Sequence, residues 1–191
     1  MFAPNRNSRE LTIDCLPLLG AKQLLEIGFG NGAHLPYLFA KAPHLHYTGI
    51  ERSEAMIAEA TALNTALMEQ GKAVFLHALT EELLPLPYES FEVCFCVNTY
   101  YFITDLRAYF AQVYSLLRQG GSFVLGAIGK EFGERMPFTK EVFTFYTPEQ
   151  LQELLLSVGF TAFDLQTFTE EIPTKRGTTI ERPFEVITVR K

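Results

Sequence analysis

Residues 24–32 read LLEIGFGNG, an apolar run that meets the acid Glu26 and then sets Gly28, Gly30 and Gly32 at alternate positions around Phe29 and Asn31. Removing side chains at alternate positions lets a turn tighten and lets a ligand approach the backbone. A strand that turns straight into a helix presents backbone N–H groups at the carboxyl edge of a sheet, where ligands of open α/β sheets bind. About 20 residues further on, the stretch YTGIERSEAM puts Glu51 and Arg52 at the end of a second apolar segment. An acid at that distance from a glycine turn can accept both hydrogen bonds of a ribose diol. Turn and acid together predict a ribose-bearing cofactor. The structural alternatives are a tight turn without a ligand and a solvated Glu51 paired with Arg52.

Spacing and charge select the cofactor. Dinucleotide sites favour G-x-G-x-x-G, with a pyrophosphate at the helix N-terminus. Here the pattern is G-x-G-x-G, and Glu26 stands two residues before the first glycine. An acid repels a bound pyrophosphate and attracts a cation. S-adenosylmethionine carries a sulfonium and an α-ammonium and has no phosphate, so it fits better than NAD. On this reading Glu26 faces a positive ligand, and the glycines admit its amino-acid end.

These residues need a frame. Apolar segments predict strands over 23–28, 46–50, 73–77, 91–97, 122–128, 161–168 and 184–190. Helical periodicity marks 8–19, 32–40, 53–70, 104–118 and 147–158; Met56, Ala60, Leu63 and Leu67, for example, share one face. Ser53 is a candidate N-cap, and Thr147, Pro148 and Gln150 compose a helix start with a capping box. FEVCFCV (91–97) is apolar on both faces, as a strand inside a parallel sheet must be. The alternation of strands and helices predicts an α/β, Rossmann-like, doubly wound and mostly parallel sheet with helices on both sides. One domain over 1–191 is expected, with an N-terminal helical segment at 1–22 and a cover over the site at 130–146.

Composition narrows the class. The 191 residues carry a formal net charge of -6, which argues against a phosphate-tracking nucleic-acid surface. No apolar run approaches the roughly 20 residues that span a bilayer. Cys15, Cys94 and Cys96 form neither a disulfide framework nor a CxxC pair. The opening MFAPNRNSRE lacks an apolar core of signal-peptide length. A cytoplasmic protein is expected. His34, His44, His46 and His77 lack metal-ligand spacing, so no metal is expected.

With these residues in order, the chain resembles the class I S-adenosylmethionine-dependent methyltransferases. The first motif of that family appears as Glu26-Ile27-Gly28-Phe29-Gly30-Asn31-Gly32, and its ribose acid matches Glu51 within GIERS. LLPLPYESFEV (83–93), VNTYYF (97–102), RQGGSF (118–123) and TPEQLQELLLSVGF (147–160) match later motifs in sequence. The resemblance implies seven strands with the last inserted antiparallel between the fifth and sixth, and in-line attack on a sulfonium methyl. It implies cofactor contacts at Glu26, Gly28, Phe29, Gly30, Gly32, Glu51 and Asn98, with S-adenosylhomocysteine as product. Three departures stand out. Thr80, beside Glu81, aligns with an acid that often meets the adenine amino group. Arg52 replaces an apolar residue that packs on adenine, where its stem can still cover the ring. Asn98 is followed by Thr99 and Tyr100, not by two prolines and an aromatic, which disfavours nucleobase or glutamine amide methylation.

The acceptor side is less defined. Its expected walls are residues 1–10, 98–104 and 130–146, with Tyr100, Tyr101 and Tyr146 as candidate substrate contacts. No inserted domain enlarges the pocket, so a small-molecule acceptor is expected. No catalytic base is assigned, because the sulfonium methyl is already activated and positioning supplies much of the rate. The alternatives are a non-catalytic module that binds the cofactor or its demethylated product and acts through protein contacts, and a nicotinamide-dependent oxidoreductase.

Overall fold

The computed structural model describes residues 6–78, 86–136, 139, 143–173 and 178–191. Along the chain run α1 (Arg6–Asp14), β1 (Gln23–Ile27), α2 (Leu35–Lys41), β2 (His46–Glu51), α3 (Glu54–Leu63), α4 (Thr65–Glu69), β3 (Ala73–His77) and β4 (Phe91–Val97). A 3₁₀ turn (Tyr100–Phe102) leads to α5 (Leu106–Leu116), β5 (Leu117–Ile128), α6 (Lys130–Arg135), α7 (Pro148–Val158), β6 (Thr161–Pro173) and β7 (Thr179–Arg190). The seven strands form one sheet in the order β3-β2-β1-β4-β5-β7-β6. The first five are parallel, and β7 lies antiparallel between β5 and β6. This is the doubly wound arrangement expected from the sequence, with the last strand inserted as the resemblance implies. Strand order reverses between β1 and β4, and the crevice outside their carboxyl ends is where such sheets bind ligands.

Local chemistry explains several element ends. Ser53 accepts a hydrogen bond from the Met56 N–H at 3.4 Å, and Thr147 and Gln150 close a reciprocal capping box. The expected first helix over 8–19 ends at Asp14, ahead of Pro17, which disfavours helical geometry in the residue before it. The expected helix over 53–70 is broken at Asn64. Its side-chain amide donates to the Ala60 carbonyl at 2.9 Å and to the Gly32 carbonyl at 3.1 Å, which ties the break to the glycine turn.

The last two strands are longer than their apolar cores. They pair from Thr161 and Arg190 out to Pro173 and Thr179, whereas β5 pairs with β7 only as far as Phe184. Residues 169–173 and 179–183 therefore form a two-stranded ribbon beyond the carboxyl edge of the sheet. A lone ribbon is marginal in water. This one is held at its root by a buried ion pair, in which Arg182 Nε donates to Glu170 Oε1 at 2.6 Å. Ser8 of α1 donates to both oxygens of the same carboxylate, at 2.8 and 2.9 Å. Helix α1 lies so close to β5 that a Cβ on Gly126 would overlap Thr12 Oγ1.

Within 130–146, residues 137, 138 and 140–142 lie outside the described residues. The described part packs on the 3₁₀ turn. Phe145 is buried, its ring centroid lies 4.7 Å from that of Tyr101, and a Cβ on Gly133 would overlap it.

Removing one partner of a buried ion pair strands the other charge, at a cost of about 3–5 kcal/mol. Glu170→Ala is expected to lower the unfolding free energy by about 3 kcal/mol, and the double replacement Glu170→Met/Arg182→Met by clearly less. Urea denaturation of both variants checks this. Equal losses would show that the pair contributes packing and not charge.

Candidate functional site

The carboxyl ends of β1, β2 and β4 enclose a cavity of about 190 Å³, lined by Arg9, Gly28, Gly30, Glu51, Arg52, Val97, Asn98, Thr99 and Phe102. Its floor is the glycine turn after β1. Gly28 has φ +78° and Gly30 φ +64°, in the left-handed region that side chains disfavour. Space is short as well, because a Cβ on Gly28 would lie 2.8 Å from Thr99 Oγ1, and one on Gly30 3.0 Å from the Arg9 guanidinium. Gly32 sits below, against Asn64 and Ala60. The Phe29 side chain points away into the core, 4.9 Å from the Phe75 ring between centroids, so only its backbone borders the turn.

Glu51 closes β2 and lines the cavity while almost fully buried. Its Oε2 accepts the Gly30 N–H at 2.9 Å, and its Oε1 accepts the N–H groups of Arg52 and Ser53 at 2.9 and 3.0 Å. A carboxylate has about four acceptor positions. Three are taken, which leaves one on Oε2 for a ribose hydroxyl, fewer than the two the sequence suggests. Arg52 lies beside it with an exposed side chain. Asn98 ends β4 with φ +54°, a conformation Asn tolerates better than most residues. Its Oδ1 accepts from the Tyr101 hydroxyl at 2.8 Å and from the Ile128 N–H at 3.2 Å.

Glu26 is not in the cavity. It is fully buried beneath the turn, where its Oε2 accepts from Tyr47 Oη at 2.6 Å and from His34 Nε2 at 2.7 Å. Its Oε1 has no hydrogen-bond partner among the described residues and faces Arg9 NH1 at 3.9 Å. The same Arg9 nitrogen lies 3.0 Å from His34 Nδ1. A guanidinium has no acceptor, so Arg9 is the donor in this contact. The sequence places a positive ligand beside Glu26; in the structure Glu26 does not line the cavity, and the cation beside it is the chain's own Arg9. Burial by itself would raise the Glu26 pKa, but the His34 imidazole, Arg9 and the Tyr47 hydroxyl outweigh it and hold the value below 4.5. Burial, with Glu26 next to it, pushes the Tyr47 hydroxyl well up.

The three tyrosines expected at the acceptor side do not line this cavity. Tyr100 is buried, and its hydroxyl accepts from the Tyr146 N–H at 3.4 Å. Tyr101 is buried too and braces Asn98 and Ile128. Tyr146 is half-buried against Tyr100. Thr80 and Glu81 lie outside the described residues. Arg9, Thr99, Val97 and Phe102 join the lining; none was named individually from sequence, although Arg9 falls within the expected wall 1–10, and Thr99 and Phe102 within 98–104. Val97, Thr99 and Phe102 lie at or just beyond the end of β4, beside Asn98, a signal that was available. Arg9 sits in NSREL, which has no motif, and α1 brings it to the turn by packing.

A family model described as a methyltransferase domain matches residues 25–125, more than half of the chain. The protein belongs to the class I S-adenosylmethionine-dependent methyltransferases. An uncharacterized methyltransferase of Bacillus subtilis, YdaC, is 31% identical over 121 residues, 63% of this chain and 64% of that protein. A 27-O-demethylrifamycin SV methyltransferase of Amycolatopsis mediterranei is 32% identical over 111 residues, 58% of this chain and 40% of that one. These matches span less than two thirds of either relative. A solved methyltransferase of Thermotoga maritima superposes with a TM-score of 0.67 at 22% identity, covering 97% of this chain and 89% of that one, which shows a shared fold.

The residues fit the cofactor of this family. The open acceptor position on Glu51 suits a ribose hydroxyl, and the tight glycine turn leaves its backbone accessible.

Two outcomes follow from this geometry. Gly28→Ala is expected to cost about 2 kcal/mol of stability, from left-handed strain and crowding against Thr99, read by thermal or urea unfolding. Glu26 has a folded pKa below its unfolded value of 4.5, so its ionisation stabilises the fold above that value and is lost as pH falls through the folded pKa. The stability gap between wild type and Glu26→Gln is therefore expected to narrow as the pH is taken below 4.5, measured as melting temperature against pH.

Proposed function

We propose that the protein transfers a methyl group from S-adenosylmethionine to a small-molecule acceptor. One observation carries the reading: the glycine turn, Glu51 and Asn98 converge on a single cavity at the point where strand order reverses. The cofactor supplies an activated methyl group on a sulfonium. The chain supplies position: Glu51 to hold the ribose, the Gly28–Gly30 backbone to border the amino-acid end, and Asn98 with Thr99 to close the side nearest β4. No deprotonating residue is assigned.

A small acceptor is supported by a second cavity of about 360 Å³ at the carboxyl end of β5, lined in part by Lys130, Phe132, Thr147 and Glu185. That volume is of the order seen in small-molecule sites. The name of the Amycolatopsis relative points the same way. We assign the protein to the cytoplasm. In support, Cys15, Cys94 and Cys96 are free thiols, and no helix among the described residues is long and apolar enough to cross a membrane. Burial pushes the Cys96 thiol up to about 12, which makes it a packing group and not a nucleophile.

A second reading, a module that binds the cofactor without turnover, is favoured by one detail. The one carboxylate among the described residues lining the first cavity, Glu51, accepts from three backbone N–H groups and is assigned to the ribose, which leaves that lining without a base for an acceptor. Incubation with methyl-labelled cofactor and panels of hydroxyl, amine and thiol acceptors separates the two readings, since only the enzyme yields labelled product.

For either reading, calorimetry is expected to show binding of S-adenosylhomocysteine and little binding of NAD. Glu51→Ala is expected to weaken S-adenosylhomocysteine roughly 10- to 100-fold, the loss of one charge-assisted hydrogen bond. Unchanged affinity in a folded variant would remove the ribose contact.

A further inference from the structure

Arg9 is the charged group that reaches the glycine turn from outside the motif. Its NH1 donates to the Phe29 carbonyl and to His34 Nδ1, and its NH2 lies 3.5 Å from the Gly28 carbonyl. The side chain is 18% exposed and lines the cavity, while Glu26 behind it is 0% exposed. The guanidinium thus stands between a buried anion and the space a ligand would enter. These contacts engage three of its five N–H donors: two face the Phe29 carbonyl and His34, and a third approaches Gly28.

We propose that Arg9 binds the α-carboxylate of the cofactor's methionine end, with Glu26 and His34 as the residues that position it. The inference rests on the reading of this cavity as the S-adenosylmethionine site. That ligand ends in a zwitterion, and its carboxylate needs a cation. Of the two cations among the described residues lining the cavity, Arg52 stands at the end of β2, and Arg9 is the one whose side chain contacts the carbonyls of the glycine turn. A guanidinium fork matches a carboxylate in shape as well as charge.

Arg9 is also held ready. Ser8, next to it on α1, is fixed to the Glu170 carboxylate, and Thr12 donates to the Ser8 carbonyl at 2.9 Å. A cation already ordered before binding loses less entropy when the ligand arrives.

Two other roles make different predictions. As a mere counter-ion for Glu26, Arg9 would affect all ligands alike. As an internal plug in the place of the ligand's ammonium, its removal would tighten binding. Calorimetry with three probes separates these: S-adenosylhomocysteine, its decarboxylated analogue, which keeps the ammonium, and 5′-methylthioadenosine, which lacks the amino-acid end. Arg9→Met is expected to weaken S-adenosylhomocysteine roughly 10- to 100-fold and to leave the other two within about threefold. Arg9→Lys keeps the charge and loses the fork, so it is expected to show a smaller loss with the same ligand selectivity. It carries the test if Arg9→Met fails to fold. Equal losses for all three ligands, or a gain for S-adenosylhomocysteine, would overturn the proposal. Wild-type protein that binds neither S-adenosylhomocysteine nor 5′-methylthioadenosine would overturn the cofactor reading itself, and the Arg9 assignment with it.

Discussion

A single buried carboxylate organises the site. Glu26 is fully enclosed at the end of β1, and an unpaired charge there would cost several kcal/mol. Its compensation comes from three directions: Tyr47 on β2, His34 at the start of α2, and Arg9 on α1. None of these residues is adjacent to Glu26 in the chain. Satisfying the one charge therefore requires β1, β2, α1 and the turn before α2 to be in place together. The glycine turn is closed from beneath by this cluster, so its geometry is set by the folded core and not by the turn residues alone.

Glu51 does for the upper side of the turn what Glu26 does for the lower. It accepts from Gly30 in the turn and from Arg52 and Ser53 at the entry to α3. Two acids, one below and one beside the same short loop, hold a chain segment whose glycines would otherwise give it wide conformational freedom. Asn64 adds a third tether through the Gly32 carbonyl. A backbone fixed in this way can present its polar groups to a ligand without reorganising, as binding sites built on rigid elements do.

The parts of this arrangement that were legible in the sequence are the local ones. The glycine spacing, Glu51 at the end of the second apolar run, the Thr147–Gln150 cap and the two-sided apolar strand at 91–97 each lie within a few consecutive residues. The doubly wound, mostly parallel sheet and the antiparallel last strand between the fifth and sixth followed from the alternation of elements and the family resemblance. Tertiary contacts were not legible. Glu26 reads as an acid awaiting a cation, and only the fold shows that Arg9, 17 positions earlier, supplies one. Tyr100 and Tyr101 read as polar residues at a ligand edge, but the 3₁₀ turn rotates them into the core, where Tyr101 braces Asn98. The strand ends at 169–173 and 179–183 read as a polar connection, since their buried polar anchor, Glu170 with Arg182, carries no apolar signal.

That anchor and the cofactor turn meet on one helix. Ser8 and Arg9 are consecutive on α1, so their side chains leave the helix about 100° apart. One is fixed to the root of the ribbon beyond β5, and the other reaches the floor of the cavity at β1. The ribbon projects from the carboxyl edge, on the side where strands of this fold present their ligands. A shift of the ribbon root would move Ser8, and a rigid helical turn would carry Arg9 with it. The glycine turn and the ribbon root are therefore joined through a single turn of α1. Besides packing on β4 and β5, the helix thus ties the floor of the cavity to the root of the ribbon.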